Sequence, residues 1–473
     1  MLFSRGRVWT ADPLQPLAEA VLVERGNFAW VGTTTDAPAH DRVVDLGGRW
    51  VVPTAVDPHA HVLGPPCEFA NDASFAPGPG PSGAEALALL AAQAGKSPAG
   101  RPICVVVGGA FFAGGTARAD LDDRLGRRPA IAVGWTGHGL VASSAALALA
   151  GVSADPVGEY QEIAFWRALS PAAPDFVLAG FYEAFGDAAA KLGYGAVVDL
   201  PFAVPLERAA KLARDAKLPV ELAQACLPVP PGAEACAPSQ RAGLKLFLDG
   251  TVDNPDLAAL GPGRAWPGGG GSSTIFTTEE LFEIAASADQ RLILHAVGDA
   301  AVEQALSLAE AGSDVRIEHG DLITPEQAAR AARAGVWLVQ NPTHLGIPQL
   351  RDLGGPAAQD LGALRDAGVQ IALGSDAFQV PFDPWLGAAL ASTWTLRLSR
   401  EEALLATTRW AAEAAGLDGL GTISVGAHAS FAVLRFDPLA ASAQEISEAS
   451  AAGTALTVVD GRVAWVSDVQ VAR

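Results

Sequence analysis

Histidine stands at position 59 and again at 61, closing the apolar run VVPTAVDPHAH. Side chains two apart on a strand point the same way, so His59 and His61 present both imidazoles to one spot. Imidazole is the commonest side chain for holding a catalytic metal, and the carboxyl end of a barrel strand is where such enzymes do chemistry. Further ligand types close later apolar runs: His295 in RLILHAVGD, His319 in VRIEHGD and Asp376 in ALGSDAF. Any one alone reads as a rim residue bonded to loop backbone. Five converging on one end of one sheet crowd charge and lone pairs there, and a bound cation is the economical solution.

Lys245 lies inside GLKLFLDG, flanked by Leu244 and Leu246, where alternation turns it inward with Phe247. A buried ammonium is costly, so it either pairs with a carboxylate, Asp249 being close, or loses its proton. A neutral lysine amine can take up carbon dioxide to form a carbamate, a carboxylate on a long stem able to bridge two metals. Zinc or a similar ion lowers the pKa of bound water from about 15.7 to about 7, which makes hydroxide available at neutral pH.

The elements that must position these groups alternate along the chain. Strand candidates VVPTAVD, GAVVDL, PVELAQAC, LKLFLD, RLILHAV, VRIEHG, VWLVQNP and VQIALGSD are separated by alanine-rich helical stretches. That order predicts an α/β fold with enough strands to close a (β/α)8 TIM barrel. Thr324 with Gln327, Ser399 with Glu402 and Thr277 with Glu280 predict capping boxes at helix starts. Two more strand-like runs, ICVVVGGA and AIAVGWTG, fall between the first and second barrel strands and predict a cap insertion over about 64–190. Both ends of the chain read as β-rich. Arg25, Gly26 and Asn27 predict one turn, and Asp460 with Gly461 predicts a tight hairpin. The expected division is a small β-domain from 1–53 plus 420–473, and a barrel domain from 54–419.

The chain has 473 residues, 50% of them hydrophobic, which suits a large core, and a formal charge of -20 that repels nucleic acid and anionic membranes. The expected partners are a small-molecule substrate and, in a homodimer, a second copy of the chain, with no nucleic acid and no membrane. The amino terminus MLFSRGRVWTADPL lacks an apolar signal core, so a cytoplasmic location is the default. Cys67, Cys104, Cys226 and Cys236 are too scattered for a zinc ribbon or disulfide framework and read as buried thiols. The glycine-rich stretches 77–83 and 261–273 read as surface loops, the second also as a lid, since it follows a barrel strand.

Taken together, these residues resemble the amidohydrolase superfamily, and within it the YtcJ-like metal-dependent hydrolases of the amidohydrolase 3 group. The resemblance runs over nearly the whole chain: the HxH pair, the lysine in LKLFLDG, HAVGDAAV, RIEHGDLITPEQ, GSDAFQVPFDPWLG, LSREEALLATT and VVDGRVAWV. It implies that the two β-rich ends form a small β-sandwich beside the barrel. It also implies roles: His59 and His61 as ligands of one metal, His295 and His319 of a second, and a carbamate on Lys245 as the bridge. Asp376 becomes both ligand and proton carrier, His138 in VGWTGHGL a catalytic group bonding the substrate carbonyl, and His344 in VQNPTHLG a further group at the mouth. The implied cofactor is a divalent metal, zinc being the expected ion, with one or two per chain.

Departures from the family pattern fall around the metal residues. Thr136 replaces the usual aspartate, Ala300 replaces an arginine, VDNPDLA replaces LGSRTA, and the stretch from Asp155 to Ala168 is shortened. The expected function is hydrolysis of a non-peptide carbon–nitrogen bond in an amide, N-acyl or N-formyl compound. A heterocycle deaminase with one metal is the alternative, and a noncatalytic scaffold the third reading.

Overall fold

The computed structural model describes residues 1–71, 80–134, 137, 139–229, 242–250, 273–342, 360–377 and 382–469. Its centre is parallel. Strands β1 (Ala55–Ala60), β2 (Tyr194–Asp199) and β3 (Glu221–Gln224) form one sheet in the order β3-β2-β1. A second runs in sequence order through β4 (Leu244–Phe247), β5 (Leu292–Ala296), β6 (Val315–His319), β7 (Trp337–Gln340) and β8 (Gln370–Leu373). Two single-residue parallel bridges, Cys226 to Leu244 and Ala60 to Ala377, link the edges of these sheets. Apart from β3, of which only Gln224 is buried, these strands are buried along almost their whole length, as parallel strands covered on both faces must be.

Helices return the chain between parallel strands. Helix Asp299–Glu310 buries Ala301, Val302, Ala305, Leu306 and Leu308 and packs on β5 and β6. The three capping boxes are formed: Thr324 accepts from Gln327, Ser399 from Glu402 and Thr277 from Glu280, and each N3 side chain reaches back. Each such cap is worth about 1 kcal/mol.

Both chain ends contribute to one six-stranded sheet, in the order Arg462–Val466, Leu456–Val459, Phe431–Leu434, Trp50–Pro53, Arg7–Trp9, Leu17–Ala18. A four-stranded sheet contains Asn27–Gly32, Ala20–Glu24, Leu2–Ser4 and Val43–Asp45. Phe3, Phe28, Val51, Phe431 and Val458 share one apolar cluster drawn from both ends of the chain. The hairpins turn at Arg25–Gly26 and Asp460–Gly461, with φ of 51° and 87°, then 47° and 71°. This left-handed turn geometry matches strand twist. Trp50–Pro53 leads directly into β1, so the strand carrying the histidines is anchored at its start.

Between β1 and β2 lies a four-stranded sheet of Glu68–Phe69, Ile103–Val107, Ala130–Gly134 and Leu140–Ala142. Here the cysteines differ from the expected thiols. Cys67 and Cys104 form a disulfide across a Cα–Cα distance of 5.8 Å, and Cys226 is also disulfide-bonded. Parallel pairing of Glu68–Phe69 with Ile103–Cys104 brings together two residues 37 apart in sequence. That register is invisible to spacing alone. Among the described residues no helix is long and apolar enough to cross a membrane.

Closing that loop restricts the unfolded chain, so Cys67→Ser should lower stability by about 2–4 kcal/mol. Denaturant melts should place the variant's midpoint below that of the oxidised wild-type protein, and reduced wild-type protein, which also loses the Cys226 disulfide, lower still.

Candidate metal centre

Strand β1 delivers His59 and His61, and the bridge from Ala60 to Ala377 brings the segment after β8 alongside them. His59 Nε2 lies 3.2 Å and His61 Nε2 3.3 Å from Asp376 Oδ1. One ligand atom from each of the three residues falls within 4.8 Å of the others, and all three side chains are buried. Such a His-His-Asp group can hold a metal ion.

Each ring is aimed by its other nitrogen. His61 Nδ1 lies 2.8 Å from the Leu200 carbonyl oxygen. His59 Nδ1 meets the carboxylate of Glu318, whose other oxygen accepts from Arg316 Nε at 2.6 Å. Arg316 in turn donates from Nη2 to the Pro58 carbonyl at 2.8 Å, beside the ring it indirectly orients. Arg316 and Glu318 are both fully buried. Burial would raise the Glu318 carboxyl, but the Arg316 guanidinium and His59 outweigh it and hold the group well below the usual carboxylate range. An ionised carboxylate behind a metal-facing imidazole fixes its tautomer and raises its basicity.

The backbone around the trio is also constrained. Asp376 has φ 54° and His319 φ 68°, a region that L side chains rarely adopt. The Asp376 N–H donates to the His59 carbonyl at 2.9 Å, which ties this conformation to β1. Asp57 accepts from Ser375 Oγ at 2.5 Å and from the N–H groups of Ser375 and His59, at 3.0 and 3.1 Å. Burial pushes the Asp57 carboxyl up to about 6 against the pull of those bonds. On the far side, Asp199 accepts from the Val62 N–H at 3.0 Å, the Tyr182 hydroxyl at 2.8 Å and Gln224 Nε2 at 2.9 Å.

His295 and His319 stand next to the trio but outside it. The His319 ring lies 5.0 Å from His59 and 4.7 Å from His295, centroid to centroid. His319 Nδ1 lies 2.8 Å from Asn341 Oδ1, and His295 Nε2 lies 3.2 Å from the Gly250 carbonyl. Lys245 is fully buried, and its Nζ finds no hydrogen-bond partner among the described residues. Its pairing with Asp249 is not formed. That carboxylate instead accepts from the N–H groups of Val297 and Gly298, at 3.0 and 2.7 Å, ahead of helix Asp299–Glu310. Burial lowers the Lys245 ammonium to about 8 against the attraction of Glu318 and Asp376. His138, His344 and residues 261–272 lie outside the described residues.

Sequence reasoning missed Arg316, Glu318 and Asp57. The signal was available: Arg316 and Glu318 alternate with Val315 and Ile317 in a buried strand, the pattern that singled out Lys245.

An amidohydrolase family model matches residues 42–465. The chain belongs to the amidohydrolase family. Imidazolonepropionase of Mycolicibacterium smegmatis is 48% identical over 65 residues, 14% of this chain and 15% of that protein. The enzyme of that name from Salinispora tropica is 37% identical over 106 residues, 22% of this chain and 21% of its own. These matches span less than a quarter of either relative. A metal-dependent hydrolase of Pyrococcus horikoshii superposes with a TM-score of 0.72 at 20% identity, over 94% of this chain and 99% of that one. A mutant atrazine chlorohydrolase of Arthrobacter aurescens, complexed with zinc and atraton, superposes with a TM-score of 0.58 at 17% identity, over 98% and 94%. Likeness at this identity shows the mixed α/β fold of this amidohydrolase.

Glu318→Gln keeps the shape but removes the charge behind His59. Metal affinity should fall about 10–100-fold, measured by competition with a chromophoric chelator.

Proposed function

We propose that this amidohydrolase is a metal-dependent hydrolase of a non-peptide carbon–nitrogen bond, in an amide, N-acyl or N-formyl compound. The observation that carries this is the convergence of His59 Nε2 and His61 Nε2 on Asp376 Oδ1, at 3.2 and 3.3 Å, in a buried site. The proposed ligands are His59, His61 and Asp376, joined by His295, His319 and Lys245. An N/O donor set of this kind suits zinc, which when bound acidifies a water and polarises a substrate carbonyl.

The protein groups then have distinct tasks. Glu318 holds the Nδ1 side of His59, which fixes the tautomer that presents the Nε2 lone pair inward. Asp376 takes a proton from the attacking water and delivers it to the departing nitrogen, since an amine leaves only when protonated. Lys245 has the environment for a carbamate: with its ammonium near 8, about a tenth is the free amine at pH 7, far more than for an exposed lysine. Carbamylated, Lys245 would supply carboxylate oxygens as further ligands, where its amine finds no hydrogen-bond partner among the described residues. For the scaffold, we propose that the two bridged parallel sheets form one (β/α)8 barrel within 54–419. The cap would cover about 64–190, and 1–53 with 420–473 would form the β-sandwich.

One observation favours the mononuclear deaminase as a second reading. His295 and His319 lie outside the trio whose ligand atoms fall within 4.8 Å.

Chelator dialysis should abolish hydrolysis of an amide panel, and zinc should restore it. Asp376→Asn should lower kcat about 10²–10⁴-fold. Lys245→Ala should lose activity and bound metal together. Full activity with undiminished metal in that variant would sink the two-metal version, and ammonia release from aminoheterocycles at one ion per chain would establish the deaminase.

A further inference from the structure

Asp376 lies beyond the end of β8, and its φ of 54° persists only where the surroundings hold it. Two backbone bonds already join this segment to β1: the Asp376 N–H donates to the His59 carbonyl at 2.9 Å, and the His61 N–H to the Ala377 carbonyl at 2.5 Å. Gly374 permits the close approach, since a Cβ there would sit 3.0 Å from the His59 Cβ.

A second set of bonds, made by side chains, brackets Asp376. Asp57 is buried and two residues before His59 on β1, so both side chains leave the same face. Its Oδ1 accepts from the N–H groups of His59 and Ser375, at 3.1 and 3.0 Å, and its Oδ2 accepts from Ser375 Oγ at 2.5 Å. A serine hydroxyl has one proton, which that bond commits, so Oγ turns a lone pair to the Ala377 N–H 2.9 Å away. One buried carboxylate thus grips the backbone of His59 and, through Ser375, both chain neighbours of Asp376. Joining β1 to the segment after β8 needs none of this, because the backbone bonds do it.

We propose that Asp57 and Ser375 are a positioning pair for the metal centre. Neither is a ligand; together they hold the left-handed turn that aims Asp376 Oδ1 at the Nε2 atoms of His59 and His61. The inference rests on reading Asp376 as a ligand of the proposed hydrolytic centre. Direction matters in this relay as well as contact. Asp57→Asn keeps the shape, but an amide nitrogen in the Oδ2 position donates to Ser375 Oγ, and the serine proton then loses its acceptor. Ser375→Ala removes the link to Ala377 outright.

The test is cobalt(II) titration of the full chain, because the visible bands of bound cobalt report the arrangement of its ligands. Asp57→Asn and Ser375→Ala should each shift those bands and lower cobalt affinity about 10–100-fold. The losses should not multiply: the double variant should bind about as well as the weaker single one, since both changes break one relay. Wild-type bands and affinity in either variant, even with a lowered melting temperature, would make the pair a packing contact and overturn the proposal, as would losses that multiply. If neither variant folds, a crystal structure of zinc-loaded wild-type protein decides: Ser375 Oγ in reach of both Asp57 and the Ala377 N–H supports the relay, and Oγ turned away from either overturns it. Wild-type protein that takes up no cobalt would refute the metal centre itself. Because the readout needs no turnover, a protein inert toward amides that shows the predicted shifts would refute the hydrolytic reading alone.

Discussion

The carboxylate of Glu318 is shared between a guanidinium and an imidazole where water does not reach. Removing either neighbour would leave a buried charge without compensation, at a cost of several kcal/mol. Arg316 holds one oxygen at 2.6 Å and the Pro58 carbonyl at 2.8 Å, while the other oxygen fixes Nδ1 of His59. The orientation of the first ligand of the centre is thus set by β6, reaching across to β1. Everything proposed for the site depends on that ring being held with Nε2 toward Asp376.

The fold makes this chain of contacts compatible with packing. Parallel strands release their side chains at a common end, and every candidate ligand except Lys245, the second residue of β4, stands at the end of its strand or just beyond it. The hydrogen bond from the Asp376 N–H to the His59 carbonyl joins the first and last of these strands at the same point. The left-handed backbone of Asp376 and His319 is the local cost, of order 1–3 kcal/mol each, and the surrounding bonds hold it in place. Strain of this sort clusters where geometry matters more than stability.

Much of this was legible in the chain. Period-two alternation located Lys245, strand-end placement located His59, His61 and Asp376, and the dipeptide Asp460–Gly461 located its hairpin. The chain says less where the deciding contact is between distant segments. The Cys67–Cys104 disulfide depends on a parallel register between strands that spacing does not encode. Asp249 is near Lys245 in sequence, yet the amides of Val297 and Gly298 claim it. Arg316 and Glu318 were readable but stood in the shadow of the histidine that follows them.

The central claim is that His59, His61 and Asp376 hold a metal ion. Anomalous diffraction from a crystal of zinc-loaded protein tests it most directly. The account predicts a peak about 2.0–2.2 Å from His59 Nε2, His61 Nε2 and an Asp376 oxygen. Fully loaded protein with no density at that point, or with its zinc bound elsewhere, would contradict it.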